Sequence, residues 1–423
     1  MTATPRNRAV LSLFPRTWTA SLVQLRRDVS MVARGLAGEH PPPFRTRARP
    51  ASGADGARDD APDASRSDAA SRLLAPRTLR IARVVRETAD AVSLHLEDPM
   101  GAPLAFRPGQ FFTVLLTLDG EALRRAYSIS SASTDASGTV SITVKRVAGG
   151  RVSNHVNDHL EAGQTLQVLG PSGSFTVDPS ADARRHVVLL AGGSGITPMM
   201  AIARSVLAVE PLSRVSLVYG NRGPSDVIFH DALRDLAATH EGRLAVRHVL
   251  SDPPPGWTGG TGLLEAHVVE AELAALGPLD GAEYFVCGPE PMMAAARATL
   301  LARGVSPDAI KEERFATPHL RVARGDEAAA LDAPQMLTLR MNGETREMNV
   351  GPSQTVLEAA LGAGLAMPYS CAMGGCAACK VKVCDGEVEM EEPNCLSAAE
   401  RGEGYVLACV SRLKRATTVE VVG

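Results

Sequence analysis

Between positions 79 and 177 apolar residues alternate with polar ones: Leu79 and Ile81, then Val92, Leu94 and Leu96, then Val140, Ile142 and Val144. A period of two belongs to strands with one buried face, and turn signals such as Arg107-Pro108-Gly109 and Ser137-Gly138 punctuate the runs. The spacing predicts an antiparallel β-barrel. From 187 to 315 the pattern changes. Continuous apolar runs (VVLLA, VSLVYG, AVRHVL, YFVCG) alternate with helix-like stretches such as MMAIARSVLAV and PMMAAARATLLARG. This predicts β-α units in a doubly wound parallel sheet. Residues 336 to 423 read as a small mixed α and β unit.

Two stretches interrupt these units. Residues 41 to 72 are rich in Pro, Ala, Arg, Asp and Ser and almost lack large apolar groups, so they cannot offset the entropy of ordering and read as a disordered linker. Residues 316 to 335 carry Pro318, Gly325, Pro334 and a charged alanine run, which break any strand or helix pattern. Near the N-terminus, Trp18, Leu22, Leu25, Val29, Val32 and Leu36 recur at alternating steps of four and three, one apolar stripe on a helix that Thr17 caps and Gly38 ends. Residues 1 to 50 hold nine arginines against Asp28 and Glu39, a net charge of +7. A basic amphipathic helix over 17–38 suits an anionic membrane surface; docking on protein and a non-functional extension are the competing readings.

Composition narrows the classes. The 423 residues carry a formal charge of -3, which gives no reason to expect nucleic acid. No apolar run approaches the roughly 18 residues that a membrane-spanning helix needs. Four of the seven cysteines crowd between 371 and 384, which reads as metal binding in a reducing cytoplasm rather than a secreted disulfide framework.

The segment Cys371-Ala-Met-Gly-Gly-Cys376-Ala-Ala-Cys379, with Cys409 downstream, has the C-x4-C-x2-C…C spacing of [2Fe-2S] ligation. Four thiolates must converge while backbone N–H groups point at the sulfurs, so Gly374, Gly375 and small alanines suit the loop. Zinc is the alternative, but zinc ribbons favour two C-x2-C pairs and only one exists here. Pro368-Tyr369-Ser370-Cys371 and Gly404-Tyr405-Val406-Leu407-Ala408-Cys409 resemble the two signatures of plant-type ferredoxin domains, across 336–423. That resemblance implies a β-grasp fold. The neighbouring acids Asp385, Glu387, Glu389, Glu391 and Glu392 suggest steering onto a basic acceptor, or simply a solvated hairpin.

Upstream, Arg125-Ala126-Tyr127-Ser128 supplies an aromatic, a hydroxyl and a cation, as a flavin requires. The stretch Lys145 to Ser153, with Gly150 in its turn, offers backbone amides, a hydroxyl and cations to a pyrophosphate. The strand Val187–Ala191 runs into Gly192-Gly193-Ser194-Gly195-Ile196-Thr197-Pro198; its glycines suit a dinucleotide phosphate, Thr197 a helix cap and Pro198 the first helical position. Cys287-Gly288-Pro289 ends another strand. Arg222, after the strand ending Tyr219-Gly220-Asn221, is placed to meet a ribose 2′-phosphate, which favours NADPH.

Together, R-x-Y-S, GGSGITP and CGPEPMM resemble the ferredoxin-NADP reductase superfamily over roughly 76–315. The resemblance implies Arg125, Tyr127, Ser128 and Ser153 at FAD, Gly193, Gly195 and Thr197 at the dinucleotide, and Cys287 beside the nicotinamide, with Ser128 and Cys287 at the reacting centre. The implied domains are an extension (1–75), an FAD barrel (76–180), an NAD(P) domain (181–315), a linker (316–335) and a [2Fe-2S] domain (336–423). The domain order is similar to that of reductase components of multicomponent oxygenases. The expected activity is electron transfer from NADPH or NADH through FAD and a [2Fe-2S] cluster to an oxygenase, hydroxylase or desaturase partner, in the cytoplasm or peripherally at the inner face of the membrane. A general ferredoxin or flavodoxin reductase, and a non-catalytic redox sensor, are the alternatives.

Overall fold

The computed structural model describes residues 75–315 and 334–421, apart from 136, 352–353 and 392–393. The helix expected at 17–38 and its linker lie outside the described residues, as does 316–333.

Strands β1 (Arg77–Thr88), β2 (Ala91–Glu97), β3 (Phe111–Leu118), β4 (Glu121–Ser128), β5 (Val140–Lys145) and β6 (Thr165–Ser172) form an antiparallel sheet in the order 4-3-6-1-2-5. An Ile129–Ile142 bridge joins its two edges and closes the barrel. The alternating residues seen in the sequence point inward: Leu79, Ile81, Leu94, Leu96, Ile142 and Val144 are fully buried. Helix α1 (Arg151–His159) covers the barrel with Val152 and Val156, which join the same core.

The second sheet is parallel, with β7 (His186–Gly192), β8 (Arg214–Asn221), β9 (Leu244–Leu250), β10 (Gly260–Thr261), β11 (Glu283–Cys287) and β12 (Ile310–Glu313) in the order 10-9-8-7-11-12. Every residue of β7 is buried, which explains its unbroken apolar run: both faces are covered. Val187 and Leu189 pack into one core with α2 (Ile196–Val209) and α3 (His230–Thr239); Val188 and Leu190 pack into another with α4 (Ala266–Ala275) and α5 (Glu290–Ala302). The strand order reverses between β7 and β11. In open α/β sheets the crevice beyond such a switch point is where ligands bind.

Strands β13 (Gln335–Met341), β14 (Glu344–Val350), β15 (Lys380–Asp385), β17 (Tyr405–Leu407) and β19 (Thr417–Val421) make a mixed β-grasp sheet in the order 14-13-19-15-17; β16 (Val388–Met390) and β18 (Ser411–Leu413) pair beside it. Helices α6 (Val356–Gly362) and α7 (Ala398–Gly402) complete the unit, each started by a capping box. All described residues belong to one compact unit. No helix among them is long and apolar enough to cross a membrane.

Candidate functional site

Strand β4 lies at the edge of the barrel sheet and carries Arg125, Tyr127 and Ser128 to the rim of a cavity of about 1140 Å³. Lys145, Gly150 and Ser153 line it from the barrel, Ser194 and Thr197 from the parallel-sheet domain, and Cys371 and Cys409 from the β-grasp unit. Residues read separately along the chain thus share one cavity.

One end of the cavity is built on a helix start. Gly150 is the N-cap of α1, and Arg151, Val152 and Ser153 follow at the cavity wall, where free N–H groups and the helix dipole favour an anion. The Ser153 hydroxyl accepts the Val147 N–H at 3.1 Å and so shapes this turn. Lys145 supplies a cation 3.6 Å from Asp90. An aromatic, two cations and a helix N-terminus in a cavity of this size fit FAD.

At the coenzyme crevice the glycines act through packing. A Cβ on Gly195 would lie 2.0 Å from the Cys287 carbonyl oxygen, and one on Gly192 would meet Pro289 and Met292. The turn after β7 therefore packs directly against the turn after β11, and Gly193 presents its carbonyl to the Tyr219 hydroxyl at 3.0 Å. Thr197 does not cap α2: a 3-10 turn, Gly193–Gly195, precedes the helix, so Gly195 is the N-cap and the Thr197 hydroxyl donates to the Ser194 carbonyl at 3.0 Å. For the same reason Pro198 is the third helical residue, not the first. This open switch-point crevice fits a nicotinamide dinucleotide. Arg222 is engaged, donating from Nη2 to Asp226 Oδ1 at 2.6 Å and from Nε to Oδ2 at 3.3 Å.

Two residues of this region had not been singled out from the sequence. Glu313 stands level with Cys287 across the parallel β11–β12 pair and receives the Ser128 hydroxyl at 3.2 Å. Burial raises its carboxyl to about 8, against the opposing effect of the Ser128 hydrogen bond. Cys287 is fully buried, and burial followed by the charge of Glu313 holds its thiol well above the ordinary range, so it remains a neutral S–H. Phe315 lines the cavity two residues on. The run Lys311-Glu312-Glu313-Arg314 reads locally as a solvated strand end; only the pairing of β12 beside β11 buries Glu313.

The cluster loop brings its four cysteines together. Cys371 hydrogen-bonds with Cys376 and Cys409 with Cys379, and all four thiols lie close enough to affect one another's ionisation. Backbone N–H groups reach them: Met373 donates to Cys371 Sγ at 3.4 Å and Gly374 to Cys409 Sγ at 3.3 Å. The hydrogen bond from Cys371, assisted by backbone N–H groups, holds Cys376 below the usual thiol range despite burial. The wrap requires left-handed backbone at Gly374 (φ 80°) and at Ala372 and Ala377 (φ 54° and 57°). The loop fits a [2Fe-2S] cluster.

Two of the acids beside the loop have cations near them. Glu391 pairs with Arg412, and Glu387 lies 3.9 Å from Lys414, both partners on or just after β18.

Three family models match: an oxidoreductase FAD-binding domain over 78–177, an oxidoreductase NAD-binding domain over 189–298 and a 2Fe-2S iron-sulfur cluster binding domain over 339–414. The chain is 37% identical to one of the subunits of the 1,2-phenylacetyl-CoA epoxidase of Escherichia coli, over 78% of this chain and 93% of the relative. It is 38% identical to the ferredoxin reductase component of 3-ketosteroid-9-alpha-monooxygenase of Mycolicibacterium smegmatis, over 78% and 92%. Phthalate dioxygenase reductase superposes with a TM-score of 0.54 at 26% identity, over 82% of this chain and 98% of that one. An intact type IV self-sufficient cytochrome P450 monooxygenase gives 0.60 at 27% identity, over 82% of this chain but 41% of the larger one. With three matching domains in one order and relatives covered almost end to end, the chain belongs to the family of NAD(P)H-dependent FAD and [2Fe-2S] oxidoreductases that includes these oxygenase reductase components.

Proposed function

We propose that this protein is the reductase component of a multicomponent oxygenase, delivering electrons to a separate oxygenase, hydroxylase or desaturase protein. The observation that carries the reading is the single cavity lined at once by Tyr127 and Ser128, by Ser194 and Thr197, and by Cys371 and Cys409. Sites for the hydride donor, the flavin and the cluster adjoin one another in it. Bound FAD supplies the conversion of a two-electron hydride into single electrons.

The residues around it bind, orient and exclude water. Arg125, Lys145, Gly150 and Ser153 hold the flavin's phosphate end, and Tyr127 offers its ring. Gly193, Gly195 and Thr197 shape the crevice for the dinucleotide. Ser128 and the neutral thiol of Cys287 flank the reacting centre, with Glu313 holding a proton behind Ser128. Cys371, Cys376, Cys379 and Cys409 hold the cluster. The relatives named for epoxidase and monooxygenase systems support an oxygenase as acceptor.

The test has two arms on the FAD- and cluster-loaded full chain. NAD(P)H-dependent cytochrome c reduction is expected, and its absence would favour a redox sensor. A pull-down from native lysate is expected to capture an iron-containing oxygenase, hydroxylase or desaturase that this chain reduces; capture of only a small ferredoxin or flavodoxin would favour the general reductase. The apolar stripe at 17–38 within the basic segment 1–50, outside the described residues, supports peripheral contact with an anionic membrane at the cytoplasmic face. Flotation with anionic liposomes at low salt, full chain against one starting near Ala75, tests it. If both stay unbound, the membrane reading fails.

A further inference from the structure

The peptide that leads into the first cluster ligand is gripped by the barrel at consecutive residues. Arg124, next to the flavin motif on β4, donates from Nη1 to the Tyr369 carbonyl at 2.7 Å, and its guanidinium carbon lies 4.1 Å from the centre of the Tyr369 ring. Ser370 donates to the Thr113 hydroxyl at 3.0 Å, and both residues are buried. Phe111, buried on the same strand as Thr113, lies where a Cβ on Gly375 would meet its ring at 3.2 Å. Three contacts from the β3–β4 pair therefore bracket Cys371 on both sides. They join parts of the chain 245 and 257 positions apart.

We propose that Arg124 is a positioning residue for electron transfer: it locks the Tyr369–Cys371 peptide to the barrel edge and so sets the gap between flavin and cluster. The guanidinium suits the task because one planar group makes a charge-assisted hydrogen bond to the carbonyl and stacks on the ring of the same residue. A lysine can lie over the ring but lacks the fork. Tunnelling falls exponentially with distance, so a joint that loosens by a fraction of its length slows transfer without touching the hydride step. The proposal rests on flavin occupying the barrel-edge cavity, which the bound-FAD spectrum of the parent protein reports separately.

The experiment compares Arg124→Gln, Arg124→Lys and Thr113→Val with the parent, as FAD- and cluster-loaded full chains. Stopped-flow absorbance follows flavin reduction by NAD(P)H and cluster reduction at separate wavelengths. In Arg124→Gln, flavin reduction is expected to stay near the parent rate while cluster reduction slows, by up to about a hundredfold for an ångström-scale misplacement. Arg124→Lys is expected between the two, and Thr113→Val to slow cluster reduction with Arg124 intact. The cluster's midpoint potential is expected to be unchanged, and hydrogen exchange of the Tyr369–Cys371 amides to rise in Arg124→Gln. Cluster reduction at the parent rate, an equal slowing of both steps, a potential shift that accounts for the rate, or unchanged exchange would each overturn the assignment.

Discussion

The Ser128 hydroxyl donates across the domain boundary to Glu313 Oε2 at 3.2 Å, joining the flavin motif of the barrel to the last strand of the parallel sheet. The carboxyl is buried, 8% exposed, level with Cys287, and raised to about 8. A proton held there at neutral pH lies against the Ser128 hydroxyl and level with Cys287 on the paired strand.

Glu313→Gln should therefore remove an ionisation near pH 8 from the pH profile of flavin reduction by NAD(P)H. The same change has a stability signature. The unfolded chain ionises this glutamate above its ordinary value of 4.5, while the folded chain keeps the proton up to about 8. Folded protein binds more protons in that window, so its contribution makes stability fall with rising pH, by roughly 1.4 kcal/mol per unit, and level off above. Chemical denaturation of parent and variant from pH 5 to 9 measures it; a stability difference that is flat with pH would contradict the buried proton.

Cys379→Ala removes one member of the Cys379–Cys409 pair. The iron-sulfur visible absorption should disappear, and cytochrome c reduction should fall by more than the roughly 10–100-fold that outer-shell changes at metal sites cost. NAD(P)H should still bleach the flavin. A retained two-iron signal would refute the ligand assignment.

The ion pair between Arg222 and Asp226 changes the expectation for the coenzyme. With its fork occupied by a carboxylate, Arg222 offers little net charge to a 2′-phosphate, so kcat/KM for NADH should equal or exceed that for NADPH. Asp226→Asn frees the guanidinium and should raise the NADPH-to-NADH ratio about tenfold, the equivalent of about 1.4 kcal/mol. An unchanged ratio would remove Arg222 from coenzyme selection.

Glu391 pairs with Arg412, whose side chain is 24% exposed. Glu391→Ala should cost about 0.5–1 kcal/mol of stability, at the upper end for partly solvated pairs. Reduction of the acceptor at low salt should change little, because the charge of Glu391 is already balanced by Arg412. A marked salt-dependent loss of acceptor rate would instead favour steering by this residue.

The sequence by itself determined whatever depends on near neighbours. The period of two around Leu94 and Ile142 specified barrel strands, and the unbroken run Val187–Ala191 specified a strand buried on both faces, since burial acts on each residue through its own element. The spacing of Cys371, Cys376 and Cys379 specified a loop that gathers sulfurs because those residues lie within nine positions of chain. The tertiary structure decided what depends on distant pieces meeting. Glu313 looks like one more acid in a charged strand end until β12 pairs with β11 and excludes water from it. At Gly195 the sequence suggests a phosphate glycine, and the fold adds a packing demand, since a Cβ there would lie 2.0 Å from the Cys287 carbonyl oxygen. Arg124 is an ordinary strand cation until Tyr369, 245 positions away, arrives beneath it. Periodicity and spacing are local quantities; desolvation, close packing and ion pairing are set by which surfaces the folded chain presses together.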